Sequence, residues 1–279
     1  MRPPFILKRS KQAIVYRFIF ASTNQNETYR LRKASPCVII RQERGEDSLI
    51  SLENVTKTYG NGVHALKNIT LTIEDGEFVY VIGPTGSGKS TFIKLLDGEE
   101  IPDSGTVMVE GINVCQLKHK KVPYYRRNIG VVYQDFRLLP DMTVFENIAF
   151  ALEVVGTPKM EVRKRVREVL NMVSLEEKSK SFPSELSGGQ QQRVTIGRAI
   201  ANRPKVLICD EPTGNLDPLM SNEIVELLEK INEETGTTVV MVTHDKALVD
   251  QHKKRTIALE EGYISADIMK GGYLDHEEY

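Results

Sequence analysis

Five apolar runs, and the breaks between them, organise the chain. Ile50, Leu52 and Val55 alternate loosely with polar residues, and Tyr59-Gly60-Asn61-Gly62 then supplies a turn. This alternation predicts a half-buried strand. A second strand is expected over 66–73, closed by Asp75-Gly76. Three further runs, at 78–82, 206–209 and 239–242, are short and wholly apolar. Strands covered on both faces read this way, so these predict central strands. Helices are expected at 90–97, 143–154, 160–173, 190–202 and 219–234. Strands alternating with helices predict an α/β domain with a largely parallel sheet. Residues 141–202 read almost entirely as helix. That predicts a helical subdomain, inserted at about 135–202 into a domain spanning 49–268, with a short tail over 269–279.

Composition adds exclusions. The chain has 279 residues, 40% apolar and 27% charged, which is ordinary for a soluble globular protein. Its formal net charge of −1 argues against a general nucleic-acid binder. Cys37, Cys115 and Cys209 lie far apart and form neither a metal-ligand spacing nor a disulfide framework, which fits a reducing compartment. No apolar run approaches the ~18 residues of a membrane helix, so any role at a membrane is expected to be peripheral.

The charge is unevenly spread. Residues 1–48 hold ten Lys or Arg against four Asp or Glu and show no helical or strand period. Three readings stand for this segment. It is a disordered basic tail or the product of a start assigned too far upstream; an interfacial anchor, with Phe5–Leu7 and Ala13–Phe20 touching lipid; or a targeting peptide.

Candidate chemistry begins where the run 78–82 enters Gly83-Pro84-Thr85-Gly86-Ser87-Gly88-Lys89-Ser90-Thr91. The spacing G-x-x-x-x-G-K-S describes a phosphate loop. Gly86 and Gly88 let successive N–H groups point inward at phosphate oxygens, and the helix from Ser90 adds its positive end. Lys89 is expected to reach the β- and γ-phosphates, and the Ser90 hydroxyl to ligate Mg²⁺. The run 206–209 ends in Asp210-Glu211, carboxylates that emerge at the ligand-binding edge of a parallel sheet. Asp210 is expected to hold Mg²⁺, and Glu211 to deprotonate an attacking water. A third element, Leu186-Ser187-Gly188-Gly189-Gln190, opens a helix with another anion-binding cap. One nucleotide does not need two such caps in one protomer. A head-to-tail dimer resolves this, the second cap closing on the nucleotide held by the partner.

Taken in order, Gly83–Thr91, Leu186–Gln190, Val206–Glu211, Asn215-Leu216-Asp217 and His244 resemble the motifs of the ATP-binding cassette (ABC) ATPases over residues 49 to about 265. The resemblance implies a P-loop fold with a RecA-like, mostly parallel core, an antiparallel β-subdomain and an inserted helical subdomain. It implies ATP and Mg²⁺ as ligands and a homodimer formed on ATP. It also implies roles for single residues: Tyr59 stacking on adenine, Gln134 sensing Mg²⁺ and water, Asp217 linking the two sites, and His244 contacting the γ-phosphate. By itself Tyr59 reads more readily as an edge-strand tyrosine. The wording of Tyr133–Pro140 and Glu211–Pro218 narrows the resemblance to the bacterial cell-division branch of the family. That branch implies a peripheral place for this chain at the cytoplasmic face of the cell membrane, an FtsX-like integral membrane subunit as partner, control of peptidoglycan hydrolysis through it, and no specific nucleic acid. The partner is expected to dock on Phe136–Phe145, although Val144 and Phe145 read equally as residues packing the helical subdomain. ATPase subunits of exporters and lipoprotein-release transporters share Glu211–Asp217 and remain the alternative.

Overall fold

A computed structural model of the chain describes residues 48–269. The three readings of the basic segment 1–48, Cys37 and the tail beyond Met269 fall outside the described residues, Ser48 apart.

Two sheets form the body. A four-stranded antiparallel sheet has the order β2-β1-β4-β5, with β1 Ser48–Thr58, β2 His64–Glu74, β4 Ser104–Val109 and β5 Ile112–Asn113. A six-stranded sheet has the order β10-β9-β3-β8-β7-β6. Its strands are β3 Phe78–Ile82, β6 Ile129–Val132, β7 Val206–Asp210, β8 Thr238–Val242, β9 Arg255–Glu260 and β10 Tyr263–Ile268. All neighbouring strands there run parallel except the edge pair β9–β10. The helices are α1 Lys89–Leu96, α2 Val122–Arg126, α3 Val144–Val154, α4 Lys159–Met172, α5 Gly188–Ile200, α6 Pro218–Thr235 and α7 Lys246–His252.

The wholly apolar runs are explained by two cores, one on each face of the parallel sheet. Phe78, Tyr80 and Ile82 of β3 point into a core shared with α3, α4, α5 and α6. Val79 and Val81 point into a second core, shared with α1 and the four-stranded sheet. The alternation repeats on β7, where Leu207 and Cys209 join the first core and Val206 and Ile208 the second. This is the period of two expected of strands. With both faces covered, polar residues have no place on these strands.

Helix ends follow their local chemistry. Asp217 caps α6, accepting from the Met220 N–H at 3.0 Å, Pro218 opens the helix, and Gly236 closes it in the left-handed region. Thr143 and Glu146 form a reciprocal capping box on α3, as Ser187 and Gln190 do on α5.

Helix α5 crosses β6 very closely. A Cβ at Gly130 would meet the Ala199 carbonyl oxygen at 2.8 Å, a backbone atom that cannot swing aside. Gly130→Ala is therefore expected to push α5 off the sheet and destabilise the protein by about 1–3 kcal/mol, the usual cost of overpacking. A matching fall in the urea midpoint at unchanged slope checks this.

Candidate nucleotide site

The site is built where β3 and β7 end, on the C-terminal edge of the parallel sheet. The segment Gly83–Gly88 leaves β3 and turns back into α1. Two of its glycines are forced by their surroundings. A Cβ on Gly83, at φ 146°, would stand 2.1 Å from the Leu259 carbonyl oxygen, and one on Gly88, at φ 109°, 2.4 Å from that of Ala65. Gly86, at φ 82°, allows the curl expected of it but faces open space, so the crowding falls on Gly83 and Gly88. The loop is thus clamped between β9 and β2. Lys89 donates to the carbonyls of Gly83 at 2.7 Å and Pro84 at 2.9 Å, which folds its ammonium over the loop. Ser87 Oγ is buried without a hydrogen-bond partner, a polar atom that a bound oxyanion would satisfy. Tyr59 is half-buried, its hydroxyl 3.3 Å from Thr91 Oγ1, and the Lys57 ammonium lies 5.5 Å from its ring centre.

Opposite the loop, β7 delivers its carboxylates. Burial raises the pKa of Asp210, and the adjacent Glu211 adds to the effect, while Lys89 opposes it. Burial lowers the pKa of Lys89, and Glu211 and Asp210 pull the other way. These three groups therefore sense one another. The backbone of Glu211 is left-handed at φ 46°, and its N–H still reaches the Val242 carbonyl at 3.0 Å. A non-glycine residue held there carries local strain. The twist lets Glu211 Oε1 meet His244 Nδ1 at 3.2 Å, although His244 itself is largely exposed. A cleft of about 150 Å³ opens between Glu211, Gly214, Ser221 and His244. No group of three or more His, Cys, Asp or Glu side chains able to hold a metal occurs among the described residues.

Gln134 follows β6 and reaches this corner. A Cβ at Gly214 would meet its Nε2 at 2.9 Å, and Asn215 donates to its carbonyl at 3.2 Å. Ser187, Gly188, Gly189 and Gln190 lie apart from the phosphate loop, and no hydrogen bond among the described residues joins the two. Instead, Gly188 and Gly189 pack against Leu216 and Met220, on either side of Asp217.

Three residues not picked out from the sequence organise the segment after Gln134, and a fourth, Gln192, holds Pro212. Asn147 is fully buried; it accepts from the Leu139 N–H at 2.8 Å and donates to the carbonyls of Leu139, Met142 and Thr143. Thr195 and Arg198, both on α5, hold the Phe136 carbonyl, and Arg198 also holds that of Arg137. Gln192, also fully buried, donates to the Pro212 carbonyl at 2.7 Å. An asparagine inside the apolar stretch Val144–Phe150 was the legible signal for the first. The structure also corrects one expectation: Val144 is fully buried in the core and offers no docking surface, and Phe145 packs against the same core.

Comparison with known proteins agrees with this geometry. A sequence profile of the family described as ABC transporter matches residues 66–214. The chain belongs to the ABC transporter family. It is 54% identical to the cell division ATP-binding protein FtsE of Bacillus subtilis over 82% of this chain and 100% of that protein. It is 50% identical to FtsE of Mycobacterium tuberculosis over 81% of this chain and 98% of that one. Among solved structures, the dimeric ATP-binding cassette MJ0796, bound to ADP and Pi in a post-hydrolysis state, superposes with a TM-score of 0.71. It is 40% identical and covers 80% of this chain and 100% of its own. The fold is thus the ABC nucleotide-binding domain, with the parallel core, antiparallel β-sheet and helical segment that the resemblance implies.

The clamp on the phosphate loop is directly testable. Gly88→Ala is expected to weaken nucleotide binding more than tenfold, because both the positive φ and the Ala65 carbonyl oppose a side chain. Titration with a fluorescent ATP analogue checks this.

Proposed function

We infer that this chain is the ATP-hydrolysing subunit of an FtsE-type cell-division complex, dimerising on ATP and passing the movement to a membrane subunit. The observation that carries the reading is the facing arrangement of Lys89, Asp210, Glu211 and His244 across the sheet edge. Phosphoryl transfer needs charge neutralisation and an oriented water more than covalent chemistry. Lys89 and the loop N–H groups from Gly83 to Thr91 bind the phosphates, with Tyr59 against the base. Glu211 orients the attacking water and takes its proton. Its 3.2 Å contact with His244 supports the reading of that imidazole as the contact to the γ-phosphate. Ser90, Asp210 and Gln134 are the residues that would hold Mg²⁺, which would neutralise charge on the phosphates.

Ser187–Gln190 reads as the cap that a second copy brings to the nucleotide. Its separation from the phosphate loop of its own chain supports that reading, as does the dimeric state of MJ0796. Asp217, exposed at the N-terminus of α6 between Leu216 and Met220, would be the residue linking the two sites. The movement has a mechanical route. Helix α5 begins at the cap and, through Thr195 and Arg198, grips the backbone of Phe136 and Arg137. Displacing α5 carries that segment with it. Leu139 is half-buried there, its backbone pinned by Asn147, and is the apolar contact proposed for a partner helix. No helix among the described residues is long and apolar enough to cross a membrane. The proposed membrane-spanning part is a separate, FtsX-like subunit.

Glu211→Gln keeps the shape of the side chain but removes the base. It is expected to leave ATP affinity unchanged and to lower turnover by about 10²–10⁴-fold, with dimers accumulating on ATP. Single-turnover hydrolysis and size-exclusion chromatography measure both, and wild-type turnover would remove Glu211 from the role. Leu139→Asp is expected to abolish co-purification of the membrane subunit while ATP affinity holds. Loss of both would mean damage to the core rather than to a docking surface.

A further inference from the structure

A second surface carries charge that the nucleotide chemistry does not use. Residues 111–134 contain no Asp or Glu, yet Lys118, His119, Lys120, Lys121, Arg126 and Arg127 fall within ten positions. The chain as a whole has a net charge of −1, so composition does not account for the cluster. The first four are exposed on a single turn of 3₁₀ helix and its flank, and Arg126 is exposed at the end of α2. Lys118, Lys120, Lys121 and Arg127 pair with no carboxylate among the described residues. Tyr124 stands out between them, 59% exposed, with Lys121 Nζ 5.6 Å and the Arg127 guanidinium 4.6 Å from its ring centre. The segment is anchored from below: the Tyr125 hydroxyl donates to the Leu96 carbonyl, and Arg126 Nε donates to that of Asp97 at 3.0 Å, both at the end of α1. Of the described acids at the end of α1, Asp97 lies 4.0 Å from Arg126 Nη2, and none pairs with Lys118, Lys120 or Lys121. Asp97 is buried and accepts from the Glu99 N–H, and Glu99 pairs with Lys94.

We propose that this Lys118–Arg127 surface binds the anionic headgroups of a lipid bilayer. The proposal rests on the reading of the chain as a peripheral membrane subunit and gives it a lipid contact of its own. Three observations favour lipid over an acidic protein segment. Lysines predominate, and flexible, strongly hydrated ammonium groups suit diffuse headgroups, whereas carboxylate recognition favours the bidentate fork of arginine. The one well-exposed aromatic is a tyrosine, a residue enriched at membrane–water interfaces. The surface also adjoins the segment proposed to meet the membrane partner. From Arg127 the chain passes through the four residues of β6, Ile129–Val132, to Gln134 and the segment after it.

The test is flotation of the full chain with phosphatidylcholine vesicles made with and without phosphatidylglycerol. Each basic residue near an anionic surface contributes about fivefold to binding, or about 1 kcal/mol. The wild type is expected to float only with the anionic vesicles and to release in high salt. Lys118→Gln, Lys120→Gln and Lys121→Gln combined should lower binding on the order of a hundredfold, and Lys120→Gln alone about fivefold. Residues 1–48 are identical in all these proteins, so the difference reports on this surface. Undiminished flotation of the triple variant, or no flotation of the wild type, overturns the proposal. Loss of the membrane subunit from detergent-purified triple variant also overturns it, in favour of an acidic protein partner. ATP hydrolysis by the same preparations judges the functional reading separately. A preparation that hydrolyses ATP but ignores vesicles overturns the lipid contact alone.

Discussion

The structure depends on a close approach of backbones around the phosphate loop. The carbonyls of Leu259 and Ala65 stand where side chains on Gly83 and Gly88 would have to be. Because the loop is clamped from both sides, its N–H groups are positioned before any ligand arrives. Binding energy then need not order the loop, which is the physical content of preorganisation. The clamp also joins the two sheets at this point, since Ala65 lies on β2 and Leu259 on β9. The antiparallel sheet is thus part of the site's foundation as well as a cover for the second core.

Electrostatics follow from that geometry. Lys89 loses solvation near the loop, Asp210 loses it at the end of β7, and each offsets part of the other's burial. Burial disfavours the charged form of each, and a phosphate beside Lys89 or a cation beside Asp210 would offset that cost. Glu211 is aimed by a backbone conformation that costs free energy, and the Val242 carbonyl and His244 hold it there.

Helix α5 ties the parts together. It crosses β6 at Gly130 with no room to spare, holds Pro212 through Gln192, and holds Phe136 and Arg137 through Thr195 and Arg198. A helix with so many fixed attachments moves as a unit or not at all. That makes it a suitable carrier of a change at Ser187–Gln190 to the segment after Gln134.

The sequence by itself determined the local features. Wholly apolar runs predicted the buried strands β3, β7 and β8, because a strand covered on both faces admits no polar residue. The spacing of Gly83–Thr91 specified a phosphate loop, since short-range backbone geometry is written in nearby residues. It did not reveal β6, where four residues with a glycine resemble a loop, or β10, an edge strand with alternating exposure. Tertiary structure alone decided that Gly83 rather than Gly86 bears the crowding, and that Val144 belongs to the core while Leu139 remains accessible. It also decided that Asn147, Thr195 and Arg198 bind the carbonyls of the segment after Gln134. These outcomes depend on atoms distant in the chain, such as the Leu259 carbonyl beside Gly83. No local pattern encodes a contact whose partner arrives only when the sheets close.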